Sequence, residues 1–263
     1  METNKKAWIN ALFLVATLGV NALGAFGFIN GLSQKDISDR YVTLITPSPS
    51  TFSIWSVIYT LLIISIAVMI IQKKDGYYQR AVDEITGLFR ISCILNMGWI
   101  ITFSFLQIAI STVLILAFVI TLSLISLKLL DLQTSRRFLL PLTFGLYTGW
   151  LFIATVVNAA AALVQAKWNG FGQSPETWGI IMIIVAVGLI FLVNLKLRNA
   201  AFPLPIAWAF LGINQFLNSP LGFKGEYKLL PTVALVGMVV LIGLAAIQLY
   251  RNRFTVIPLE ANH

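Results

Sequence analysis

The sequence predicts an all-α protein, a polytopic transmembrane helix bundle of about eight spans. Three observations predict it. Of 263 residues, 58% are hydrophobic and only 11% charged, whereas a soluble domain carries about 25% charged residues. Eight apolar stretches come near or exceed the ~20 residues that cross a bilayer; they fall at about 7–30, 51–72, 86–106, 107–130, 138–165, 177–196, 200–217 and 229–250. Lys and Arg are dense in alternate connecting segments and sparse in the others, the pattern of the positive-inside rule.

The first stretch follows Lys5 and Lys6 and runs past Gly24 through Phe26, Phe28 and Ile29. A rival reading makes residues 1–25 a cleaved signal peptide, but the continuing apolar run favours a retained span. The second stretch follows Thr46-Pro47-Ser48-Pro49-Ser50, a turn-forming run that closes a polar loop over 31–50. The third and fourth are separated only by a weak break near Gln107. A second polar loop, 167–176, holds Gly170, Gly172 and Pro175 and follows the fifth stretch. It divides the chain into a five-span block, 1–166, and a three-span block, 177–252. Pro203 and Pro205 fall in the first turn of the short seventh stretch, where proline is tolerated. With the N-terminus inside, the inner segments hold twelve Lys and Arg residues, from Lys5 to Arg253. The outer segments hold five: Lys35, Arg40, Lys167, Lys224 and Lys228. Arg90, at the inner end of the third stretch, snorkels. Both termini are expected on the inner, cytoplasmic side.

The composition removes several function classes. The net charge of +8 is scattered singly and in pairs, so no basic run tracks nucleic-acid phosphates. One cysteine, Cys93, precludes an intrachain disulfide. The sole histidine is His263, at the chain end, which excludes internal histidine metal sites, haem ligation by an internal histidine and Ser-His-Asp chemistry. No cofactor or metal is expected. No Asp, Glu or Lys falls mid-span, so a proton relay lacks its carboxylate. Asp83, Glu84 and Asp131 read as solvated helix ends.

What remains is a set of polar-aromatic stripes. Residues three, four, seven and eleven apart share a helix face. Trp55 and Tyr59 mark the second span. Asn96, Trp99 and Phe103 mark the third, and Tyr147, Trp150, Ala154 and Asn158 the fifth. Such residues are costly in hydrocarbon unless they face other helices or a cavity. The topology places Asn21, Trp55, Tyr59, Trp99 and Asn158 at mid-membrane or in the outer half, with Asn214 and Gln215 on the seventh span. Together they predict a cavity beneath the 31–50 loop, walled by aromatic faces with a few amide donors, suited to a flat lipophilic ligand. The competing reading of each Asn is interhelical glue. Gly145 and Gly149, like Gly27 and Gly31, have small-xxx-small spacing and read as packing contacts. Trp8, Trp168 and Trp178 read as interfacial anchors.

Residues 7–166 resemble the TspO/MBR family, the tryptophan-rich sensory proteins that include the mitochondrial translocator protein. Three motifs carry the resemblance: Phe52, Trp55 and Tyr59; Leu95-Asn96 with Trp99; and Tyr147, Trp150, Ala154 and Asn158. The chain departs from the family pattern at Thr46-Pro47-Ser48-Pro49, which lacks the family's Lys and Trp. Phe52 stands one residue nearer the Trp than in typical members, and Leu146 replaces a proline. The resemblance implies a five-helix membrane bundle that binds porphyrins, sterols or similar molecules in a pocket closed by the first loop, and frequent dimers. Carried over, the ligand-binding residues are Trp55, Tyr59, Asn96, Trp99, Tyr147, Trp150 and Asn158. The last three spans lie outside that unit; they can cap it, cover its dimer face, or add Trp208, Asn214 and Gln215 to the pocket. Sensor or carrier is the first reading. Transporter of a small lipophilic molecule, tetrapyrrole-modifying enzyme and ligand-free scaffold are the alternatives.

Overall fold

In the computed structural model, residues 3–259 are described; the sole histidine, His263, lies outside them. Nine helices make up the fold among these residues. They are α1 (Thr3–Ala25), α2 (Gln34–Arg40), α3 (Ile54–Ile71), α4 (Gly76–Ser104), α5 (Ile108–Asp131), α6 (Leu139–Gln165), α7 (Pro175–Leu197), α8 (Leu204–Asn218) and α9 (Leu229–Arg251). Seven are long and apolar enough to cross a membrane, α3 counted with the 3-10 turn Pro49–Ser53 that leads into it. The polytopic helical bundle read from composition is the fold.

The boundaries show where local chemistry overrides hydropathy. The first span stops at Ala25 rather than near residue 30, because Gly27 and Gly31 take positive φ and reverse the chain. Conversely, α4 starts ten residues before its apolar stretch. The Asp75 carboxylate caps it, accepting from the Tyr77 and Tyr78 amides. Its 29 residues extend about 43 Å, so Arg80, Asp83 and Glu84 project beyond the ~30 Å hydrocarbon layer. The weak break near Gln107 is real: α4 ends at Ser104 and Leu106 takes the left-handed region at φ 59°.

The seventh of the eight expected spans is the exception. α8 has 15 residues, about 22 Å at the α-helical rise, too short to cross hydrocarbon alone. It is instead wrapped by protein, packing on α9, α6 and the 3-10 turn before α3. Nine of its residues are buried, among them Ile206, Phe210, Ile213 and Leu217. A short helix survives at membrane depth when protein rather than lipid surrounds it.

α4 lies between α1 and α5, α5 packs on α6, and α7 packs on α9. Two seams join the five-span block to the rest. At the end opposite α2, Asn199 Nδ2 donates to the Pro141 carbonyl at 2.8 Å. There Gly145 and Gly149 of α6 receive the 199–202 segment: a Cβ on Gly149 would collide with the Phe202 carbonyl, and one on Gly145 would meet the Asn199 amide at 2.5–2.8 Å. These glycines are packing contacts, as their spacing suggested. At the α2 end, the Ser48 amide donates to the Gly212 carbonyl at 3.0 Å, and Trp208 Nε1 donates to the Thr51 carbonyl at 2.9 Å.

Candidate ligand site

The site begins with three helices that each present flat rings to one interior space. Trp55 of α3 is the hub. It stacks on Tyr59, one turn on, with ring centroids 5.0 Å apart, and on Trp99 of α4 at 6.3 Å. Tyr147 and Trp150 of α6 meet it edge-on, each at 6.1 Å. Phe52 adds an edge to Trp150 at 6.0 Å. Offset-stacked and edge-to-face geometries are those aromatic quadrupoles favour. Rigid rings meeting at right angles leave space that neighbouring side chains do not fill.

That space is a cavity of about 510 Å³, within the range of small-molecule pockets. Its walls come from α1, α3, α4, α6 and α8, and its cover from α2 and Thr46–Pro49. Of the residues expected at a ligand, Trp55, Tyr59, Trp99, Trp150 and Asn158 line it. Asn96 and Tyr147 do not. They are buried behind the wall in a hydrogen-bonded chain that ties four helices together. Tyr59 Oη donates to Asn21 Oδ1 at 2.7 Å, Asn21 Nδ2 donates to Asn96 Oδ1, and Asn96 Nδ2 donates to Tyr147 Oη at 3.1 Å.

Asn158 is saturated in the same way. Its Oδ1 accepts from Trp99 Nε1 at 3.1 Å, and its Nδ2 donates to Thr112 Oγ1 at 2.7 Å and Ser111 Oγ at 3.0 Å. The buried amides therefore brace helices and hold the tryptophans in place; they do not present free donors to the cavity. Trp150 differs from Trp99: its Nε1 is buried without a partner among the described residues.

The cover was only partly readable. Within the loop 31–50 lies α2, fixed by a reciprocal capping box in which Ser33 and Asp36 bond each other's backbone amides. The Ser33-Gln34-Lys35-Asp36 spacing is the signal that would have found it. Gln34, Lys35, Ser38 and Asp39 of α2 line the cavity. Lys35 is ion-paired with Asp39 one turn on; the hydrogen bond and charge of that carboxylate hold its ammonium above its usual pKa. The hydroxyl and amide of Ser33 hold the Asp36 carboxyl below its usual range. α8 contributes Ala209 and Phe216, residues that no polar signal marked. Trp208, Asn214 and Gln215 turn away: Trp208 donates to Thr51, Asn214 to the Pro231 carbonyl, and Gln215 accepts from Ser48 Oγ at 3.2 Å.

Fold and site define a polytopic helical membrane protein built around a tryptophan-walled cavity. A family model described as TSPO-like protein matches residues 7–247, and the chain belongs to that family. The match runs beyond the first five spans through α7, α8 and most of α9. No curated protein and no solved structure matches the chain.

Proposed function

We propose that this TSPO-like membrane protein binds a hydrophobic planar molecule, a porphyrin, a sterol or a similar lipid, in the aromatic cavity, as a sensor or carrier. The observation that supports this reading is the cavity itself, about 510 Å³ walled by Trp55, Tyr59, Trp99 and Trp150. Flat faces give a planar ligand large contact area with few rotatable groups to order. Affinity comes from ring stacking and exclusion of water rather than from the buried amides, whose hydrogen bonds are already made within the protein. The termini are assigned to the cytoplasm by the Lys and Arg bias, which puts α2 and the cavity cover at the outer face.

Quenching of tryptophan fluorescence by protoporphyrin and by haem, in detergent with inner-filter controls, tests the reading. Saturable micromolar quenching that weakens in Trp99→Phe/Trp150→Phe is the expected result. Non-saturable quenching, equal in both proteins, would remove the tetrapyrrole assignment. Ligand flux in liposomes would replace the sensor or carrier by a transporter.

A further inference from the structure

We propose that the cavity selects an uncharged ligand: a flat, largely apolar molecule with one neutral hydroxyl or carbonyl end at α2, in preference to a ring bearing ionised carboxylates. The inference rests on the ligand-binding reading above and narrows its chemistry.

The cavity wall offers almost no charge. Among the described lining residues the only ionisable side chains of opposite sign are Lys35 and Asp39, both on α2, and they are paired with each other. A carboxylate brought to that rim gains the ammonium only by competing with Asp39, and it adds a second negative charge beside it. Asp36, the next carboxylate on α2, is held ionised by Ser33. Deeper placement is worse. The amides that could solvate an anion, Asn21 and Asn158, have their N–H groups committed to Thr17, Asn96, Ser111 and Thr112, and Trp150 Nε1–H, without a partner among the described residues, offers one neutral donor and no counter-charge. A buried charge without a partner is strongly disfavoured, while a neutral hydroxyl or carbonyl needs only one hydrogen bond. The rim holds neutral groups for that purpose, the half-buried Gln34 amide and Ser38 hydroxyl.

A matched pair isolates the charge: protoporphyrin, which carries two propionates, and its dimethyl ester, which keeps the ring and removes both charges. Each is titrated by tryptophan quenching against the full-length protein in phosphatidylcholine nanodiscs. Affinities are referred to the lipid-bound ligand measured in empty discs, so that the ester's greater partitioning cancels. The expected result is an ester bound about tenfold tighter or more than the diacid. In Asp39→Asn, which frees Lys35, the diacid-to-ester affinity ratio should rise roughly threefold, the scale of an exposed ion pair. A diacid that binds the wild type as tightly as the ester overturns the proposal while leaving the ligand-binding reading intact. An unchanged ratio in Asp39→Asn also overturns it, because the preference would then owe nothing to the rim. Absence of saturable quenching by either compound removes the tetrapyrrole assignment and overturns this proposal with it.

Discussion

The two ends of the bundle use the same polar residues to opposite effect. At the α2 end, Asn21, Asn96 and Asn158 brace helices around an open space. At the other end, Asn194, Asn199, Gln248 and Asn252 bind chain to chain. There Asn199 reaches Pro141, Gln248 donates to Asn252 at 2.8 Å, and Asn252 donates to the carbonyls of Arg198 and Val256, both at 2.9 Å. The residues beside the amides make the difference. Gly145 and Gly149 let backbone close on backbone at one end, whereas rigid indoles at the other hold the helices apart. A buried amide specifies how elements are held; the volume of its neighbours decides whether a cavity results.

The largest expected effect tests the closed end. In Gly149→Ala the new methyl meets the Phe202 carbonyl, an overpacking that should cost about 3 kcal/mol. It should appear as a lowered melting temperature in detergent, with ligand quenching per folded molecule preserved. Asn199→Ala comes next. It removes a bond to the Pro141 carbonyl and strands the Ala201 amide, at about 2 kcal/mol, again without touching the cavity.

The open end predicts an asymmetry between its two deep tryptophans. Trp99→Phe loses the bond to Asn158 and leaves that oxygen short of a donor, whereas Trp150→Phe removes an N–H that has no partner among the described residues. Trp99→Phe should therefore be the less stable variant by about 1 kcal/mol, although both weaken quenching. Equal melting temperatures would remove the bracing role assigned to Asn158. The smallest effect is on the cover. Because Asp36 titrates below its usual value, its capping contribution is complete above about pH 4 and lost as pH falls through the lowered value. Hydrogen exchange in residues 34–40 should rise there while α4 and α6 stay protected.

The fold was legible because lipid imposes a coarse rule: long apolar stretches become helices. The rule failed where a cap or a glycine set the boundary, as at Asp75 and Gly27, and where protein replaced lipid around α8. At the site, the stripes identified the rings that line the cavity, since only a shared interior justifies Trp99 and Trp150 so deep. They could not separate Asn96 and Tyr147, one layer back, from the wall, because a stripe gives a face and not a depth. Ala209 and Phe216 carried no polar mark at all. Contact between α8 and the 46–53 segment depends on tertiary packing across more than 150 residues, to which local periodicity is blind.

The shortness of α8 bears on how the chain is put together in the membrane. A 15-residue helix is a poor candidate for independent insertion, so it needs α6 and α9 as partners before it can settle at depth. The roof segment bonded to Gly212 and Trp208 is consequently completed only after α8 and its partner α9 have emerged. A chain stopped after α6 would carry every tryptophan of the cavity wall and still leave the roof unfinished.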